Sequence, residues 1–210
     1  MIFKDKIIVL LLEHYPNIVG VSNEIVDSLI KKYNIELRNE HRDFFINYGN
    51  SSSLLTSMFA DCTFERFEQY YSAQFPFDEI NDEEKLPLNT TYFGHDFNDE
   101  FLCIDNNTGE IFVYAFQEKS GNSYYENIDS FLMYCFFWHD ETDYFFETVQ
   151  KNIVINDLEL FKKDNEVYKI KDIRCQDIVY YLNNEVLIEF DQKSSMCNLY
   201  KGGILNQLYK

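Results

Sequence analysis

Basic residues are scarce in this chain: 18 Lys and Arg stand against 36 Asp and Glu, for a formal net charge of −18. So acidic a surface repels phosphate backbones and anionic lipid head groups, so neither a nucleic-acid nor a membrane partner is expected. It favours a basic protein partner and speeds the encounter with one. Glycine and proline are few as well, 7 and 3. There are no repeats and no low-complexity tracts, and each glycine or proline therefore marks a particular break.

The five cysteines (Cys62, Cys103, Cys135, Cys175 and Cys197) form no CxxC pair and are odd in number, which excludes the common zinc and disulfide frameworks. Cys103 and Cys135 lie in the apolar runs FLCI and MYCFF, as buried free thiols do, and fit a reducing, cytoplasmic setting. Near the start, Ile7–Leu12 is an apolar run of six residues that stops at Glu13. It is too short for a signal peptide or a membrane span and reads as an amphipathic helix with Phe3, Ile7, Leu10, Leu11 and His14 on one face.

Catalytic signatures are missing too. No GxSxG, HExxH or phosphate-loop glycine pattern occurs. His41-Arg42-Asp43 imitates a kinase catalytic loop, but Asn47 comes four residues after the Asp where five are needed, and His41 reads as a surface or cap residue. Asp105–Glu110 imitates a calcium loop with its glycine misplaced, and a hairpin turn is the favoured reading. His95-Asp96 and the stretch from His139 to Asp143 hold isolated histidines that do not converge in sequence as zinc ligands do. No catalytic residue, metal or cofactor is expected, and the protein is not expected to be an enzyme.

What the chain has in quantity is aromatic bulk: 20 Phe and 16 Tyr within a 46% hydrophobic composition, enough for a sizeable core. Tyrosines in polar stretches, Tyr70, Tyr71, Tyr124 and Tyr125, are candidates for a contact surface, where an apolar ring and a polar tip are both useful. The densest acidic groups, Asp78, Glu79, Asp82, Glu83 and Glu84, with Asp96, Asp99 and Glu100, are candidates for attracting a basic partner.

Periodicity and caps predict a helix over 24–33, capped by Ser22 or Asn23, with Ile25, Val26, Leu29, Ile30 and Tyr33 on one face. A second, over 40–48, starts at Asn39, buries Phe44, Phe45 and Tyr48, and has Gly49 as a left-handed stop. Residues 54–60 suit a strand, and Thr63 caps a helix carrying Phe64, Phe67, Tyr70 and Tyr71. Residues 76–91 read as an acidic loop. Tyr92-Phe93 ends a strand at Gly94, and 100–104 and 111–116 form a hairpin around Gly109. Asn127 or Asp129 opens an apolar helix from Phe131 to Trp138. Residues 143–163 look helical in two pieces, and 166–190 read as short strands turning at Asn183-Asn184. The expected fold is α+β, an antiparallel sheet wrapped by helices. A soft boundary near 150 separates a domain of 1–150 from an extension of 151–210, either a small β-rich unit or strands added to the main sheet.

Residues 24–138 resemble the SUKH (SMI1/KNR4) superfamily of bacterial immunity proteins in the order of their motifs. The stretch Leu37–Gly49 is similar to the family's opening Leu-Pro-x-Asp-Tyr-like element with its Phe-Leu and glycine stop. Tyr92-Phe93-Gly94-His95-Asp96 followed by Phe101–Asp105 is similar to its central Phe-Gly-x-Asp signature, strand and acidic turn. Gly109, the strand Ile111–Tyr114 and the closing Ile128-Asp129-Ser130-Phe131-Leu132 continue the match. Arg38 departs from the family where proline is preferred, the usual early tryptophan is absent, and nothing beyond 150 has a counterpart. The resemblance implies an α+β fold and a binding role without catalytic residues, typically neutralisation of a cognate toxin made by the same cell. It also permits a scaffold or regulatory adaptor that binds a non-toxin protein. Charge alone suggests a third reading, a DNA-mimicking inhibitor.

Overall fold

Ser22 ends an extended approach and accepts a hydrogen bond from the Ile25 amide, so the chain turns helical at Asn23. This helix, α1 (Asn23–Tyr33), carries Glu24 in its first turn and Lys31 and Lys32 in its last, each opposing the helix dipole. Asn34 closes it in the left-handed conformation, its amide bonded to the Ile30 carbonyl. Val26, Leu29 and Tyr33 are buried, but Ile25 is exposed, so the apolar stripe is narrower than the sequence suggests.

The computed structural model describes residues 17–51, 60–74, 85–116, 118–138 and 140–207, with residues 9 and 56. The expected N-terminal helix (Val9 apart) and the acidic stretch 76–84 therefore fall outside the described residues. Of the expected strand 54–60, Thr56 is helical and Ala60 opens a two-residue strand.

The fold is α+β with antiparallel strands, in two compact units. The first contains Tyr15–Ile128 and the second contains Asp129–Lys210. The division between the units falls at 128/129. In the second unit, Ser130 accepts a hydrogen bond from the Arg174 amide, and the Phe137 ring packs on Tyr180 and Tyr200. These bonds tie the apolar helix to the C-terminal strands.

In the first unit, α2 (Asn39–Tyr48) buries His41, Phe44 and Phe45, with Tyr48 only half-buried. Asn39 is already helical and Arg38 stands at the cap without a side-chain bond. The Arg38 guanidinium reaches Glu40 and, at 2.7 Å, the Asn106 carbonyl. Gly49 is right-handed, against expectation. It is needed for space: a Cβ there would lie 2.6 Å from the Phe45 carbonyl oxygen and 3.0 Å from Val21.

Strand β1 (Ala60–Asp61) leads to Thr63, whose Oγ1 accepts from the Arg66 amide and caps α3 (Phe64–Ala73). Then β2 (Thr90–Asp96), β3 (Phe101–Asp105), β4 (Ile111–Ala115) and β5 (Glu118–Tyr125) form an antiparallel meander in the order β1-β2-β3-β4-β5. The predicted hairpin is present, Phe101 opposite Tyr114 and Ile104 opposite Ile111. Asp105 Oδ1 accepts from the Asn107 and Thr108 amides, and Gly109 takes φ +84°, so the calcium-like stretch is a turn. Strand β2 does not end at Gly94 but runs through it with a bulge between Tyr92 and Gly94.

The second unit begins with α4 (Ile128–Trp138), at whose first turn the division lies, followed by a short 3-10 turn, Asp140–Phe145. Residues 148–154 are a strand, β6 (Thr148–Val154), where a helix is expected from the sequence. Its Thr148, Val149, Ile153 and Val154 are β-branched, and pairing with a neighbour overrides the weak helical pattern. A short helix α5 (Leu158–Asn165), capped by Asp157, precedes β7 (Lys169–Cys175), β8 (Ile178–Asn183), β9 (Val186–Asp191) and β10 (Met196–Lys201). These strands run antiparallel in the order β7-β8-β9-β10-β6, and Asn184 turns β8 into β9 at φ +54°. Phe161 of α5 covers Phe190 and Tyr181. All five cysteines are buried thiols. No described helix is long and apolar enough to cross a membrane.

Candidate functional site

The turn joining β2 to β3 collects more of the sequence-predicted contact residues than any other described place. Asp96 builds it: its Oδ1 accepts from the Asn98 and Glu100 amides, while the Asp96 amide donates to the Glu100 carbonyl. Asp99 takes φ +64° to close the turn, a conformation Asp tolerates better than bulkier residues. The result projects Phe97 at the tip with 73% of its surface exposed.

Behind the tip, α3 supplies Arg66 and Tyr70. Arg66 lies one turn beyond its Thr63 cap. Its Nε donates to His95 Nδ1 at 3.2 Å and its Nη2 to Asp99 Oδ1 at 3.1 Å. The Tyr92 hydroxyl also bonds His95 Nδ1. With Arg66 as an obligate donor, Nδ1 is the acceptor nitrogen and Nε2 carries the proton, facing Asp99 Oδ1 at 3.9 Å. Burial, then the neighbouring Arg66 charge, holds the imidazole pKa below its ordinary value, so it is neutral at pH 7. Tyr70 lies flat on Tyr92, centroids 4.1 Å apart and planes 10° from parallel, and Phe101 meets both rings edge-on. The exposed Phe97 thus stands in a turn with Asp96, Asp99 and Glu100, and the strands that the turn joins contribute Tyr92 and Phe101 to the aromatic stack with Tyr70.

The histidine acceptor is already occupied by two groups, and the tyrosine hydroxyl, whose pKa burial pushes upward, stays protonated. Among the described residues, no three His, Cys, Asp or Glu side chains gather as metal ligands.

Of the predicted contact residues, Asp96, Asp99, Glu100 and Tyr70 come together here. Tyr71 does not: it is buried on the core side of α3, its hydroxyl accepting from the Tyr92 amide. Tyr125 is also core, only 5% exposed, because it faces inward from the end of β5 opposite Ile111. Tyr124 is placed by backbone register opposite Phe112. Asp78, Glu79, Asp82, Glu83 and Glu84 lie outside the described residues, as does His139. Sequence reasoning missed Phe97 and Arg66. The signal for Phe97 was available: an aromatic flanked by Asp96 and Asn98-Asp99 in a turn-forming run. His41, read as a surface or cap residue, is fully buried among Phe45, Phe67 and Phe93, with ring centroids 4.7 to 5.4 Å away.

No family model, curated protein or solved structure matches this chain.

Proposed function

We propose that this protein is a cytoplasmic, non-enzymatic immunity protein that binds and neutralises a basic toxin domain through the β2–β3 turn. The observation that carries this reading is the exposed Phe97 in a turn with Asp96, Asp99 and Glu100, in a chain of net charge −18. The motif order resembling the SUKH superfamily supports it from an independent direction. An aromatic anchor surrounded by charge is a common economy of protein interfaces: the anchor sets release and the charge sets encounter.

The test is binding kinetics with the cognate toxin domain at two salt concentrations. Reversing Asp99 and Glu100 to lysine should slow association, and the penalty should shrink as salt rises, since exposed charges are screened beyond ~8 Å at physiological ionic strength. Phe97→Ala should leave association nearly unchanged and hasten release about tenfold to thirtyfold, the rate change for a loss of ~1.4–2 kcal/mol. Association indifferent to both salt and the reversals would remove the steering role. Release unaffected by Phe97→Ala would move the interface elsewhere. Protection of toxin-exposed cells by the wild type, lost in the triple variant, separates neutralisation from an adaptor role.

A further inference from the structure

The second unit holds a cavity of about 290 Å³, bordered by Phe137, Ile178, Glu189, Asp191, Met196 and Asn198, at the lower end of the size of ligand pockets. At its wall lies a buried carboxylate. Glu189, in the middle of β9, is only 7% exposed, yet no cation pairs with it among the described residues. The nearby Lys151 is engaged with Asp143 at 2.6 Å. Burial pushes the Glu189 carboxyl above the ordinary carboxylate range, an effect that its hydrogen-bond donors and, less, the Lys151 charge offset in part.

The surroundings hold this group in one position. Asn198 Nδ2 donates to Oε2 at 2.7 Å and the Tyr200 hydroxyl donates to the same oxygen at 2.9 Å. Oε1 receives only a 3.5 Å contact from Tyr180 and is the less engaged oxygen. Asn198 is itself oriented, because its Oδ1 accepts from the Asn152 amide. That bond exists because the β10–β6 ladder slips between Cys197 and Leu199 and Asn152 takes φ +59°. Bulges that re-aim a side chain are common beside binding sites. A buried, well-oriented carboxylate with no ion-pair partner among the described residues, on the wall of a cavity that presents Phe137, Ile178 and Met196 beside polar side chains, is complementary to an ammonium group on a short carbon chain.

We propose that this cavity binds a small organic cation, an alkylammonium group held on Glu189 with its carbon chain against Phe137, Ile178 and Met196. The site is separate from the β2–β3 turn in its residues, so its failure would leave the toxin-binding reading standing.

The test is an NMR titration of the full chain with n-butylammonium chloride, with n-butanol as the uncharged analogue and ionic strength held constant. Saturable shifts of the amides around Glu189, Ile178 and Asn198 are expected with the ammonium and not with the alcohol. Glu189→Gln should weaken binding at least about tenfold. Met196→Trp at the half-exposed rim should do so by filling the cavity, and it decides the matter if Glu189→Gln disturbs folding. A second arm uses Nα-acetyl-lysine amide: binding tighter than butylammonium assigns the cation to a peptide lysine, weaker binding to a free amine. Equal response to ammonium and alcohol, no saturable shift, or full affinity in both variants would overturn the proposal.

Discussion

Replacing Gly94 by alanine should destabilise the first unit by about 1–3 kcal/mol, the range for forcing atoms into a packed interior. A Cβ at this position would sit 2.4 Å from the Asp61 carbonyl oxygen and 2.8 Å from Cys62 Sγ. The nearer obstacle is backbone, and it cannot swing aside as a long side chain can. Relief requires β1 to move off β2, where Asp61 pairs with His95 and Ala60 with Asp96. The same movement would disturb the Arg66–His95–Asp99 cluster beneath the turn, so affinity for a partner should fall together with stability. Hydrogen exchange of β2 amides measures the effect within this unit. Adding Cys62→Ala frees the sulfur contact but not the carbonyl, so the double variant should recover little. A Gly94→Ala protein within about 0.5 kcal/mol of wild type would refute the close-approach account.

The second large effect is acid lability centred on His41. Its ring is fully buried among phenylalanines, neither nitrogen reaches a protein hydrogen-bond partner, and burial pushes its pKa down to about 3. In the unfolded chain the same histidine titrates near ~6.5. Between those two values the unfolded state binds a proton that the folded state refuses. Stability from this group is therefore full above the unfolded pKa and falls as pH drops through the window, by about 1.4 kcal/mol per pH unit. At pH 4.5 the loss should be on the order of 2–3 kcal/mol. His41→Leu, similar in volume and unable to ionise, should lose that much less than wild type between pH 7 and pH 4.5. Exchange of α2 amides in both proteins at both pH values gives the comparison. Equal losses would show that His41 does not control the acid response.

Local chemistry made much of the fold legible. Ser22 and Thr63 were readable as caps because a hydroxyl before an apolar-periodic run satisfies orphan amides wherever the helix lies. The hairpin at Asp105–Gly109 and the turn at Asn183-Asn184 followed from residues that accept positive φ. The strand at 148–154 was not legible, because its identity depends on the β10 neighbour, from Thr148 opposite Lys201 to Val154 opposite Met196. Gly94 was read as a break, but its need for a missing Cβ comes from Asp61 and Cys62, across a strand pair and distant in sequence.

The candidate site divides in the same way. Acidity and the tyrosines of polar stretches are properties of composition, and they pointed to Asp96, Asp99, Glu100 and Tyr70. Which tyrosine faces outward depends on helix phase and strand register, so Tyr71 and Tyr125 went to the core. The sequence by itself determined the α+β class, the local caps and turns, and the long-range field of a chain carrying −18, because these depend on neighbouring residues or on sums over all of them. Only the tertiary structure decided that Arg66 would lock His95 to Asp99, that His41 would be sealed among aromatic rings, and that Glu189 would border a cavity. Each of these is a meeting of residues far apart in the chain, and packing selects such meetings where local propensity is silent.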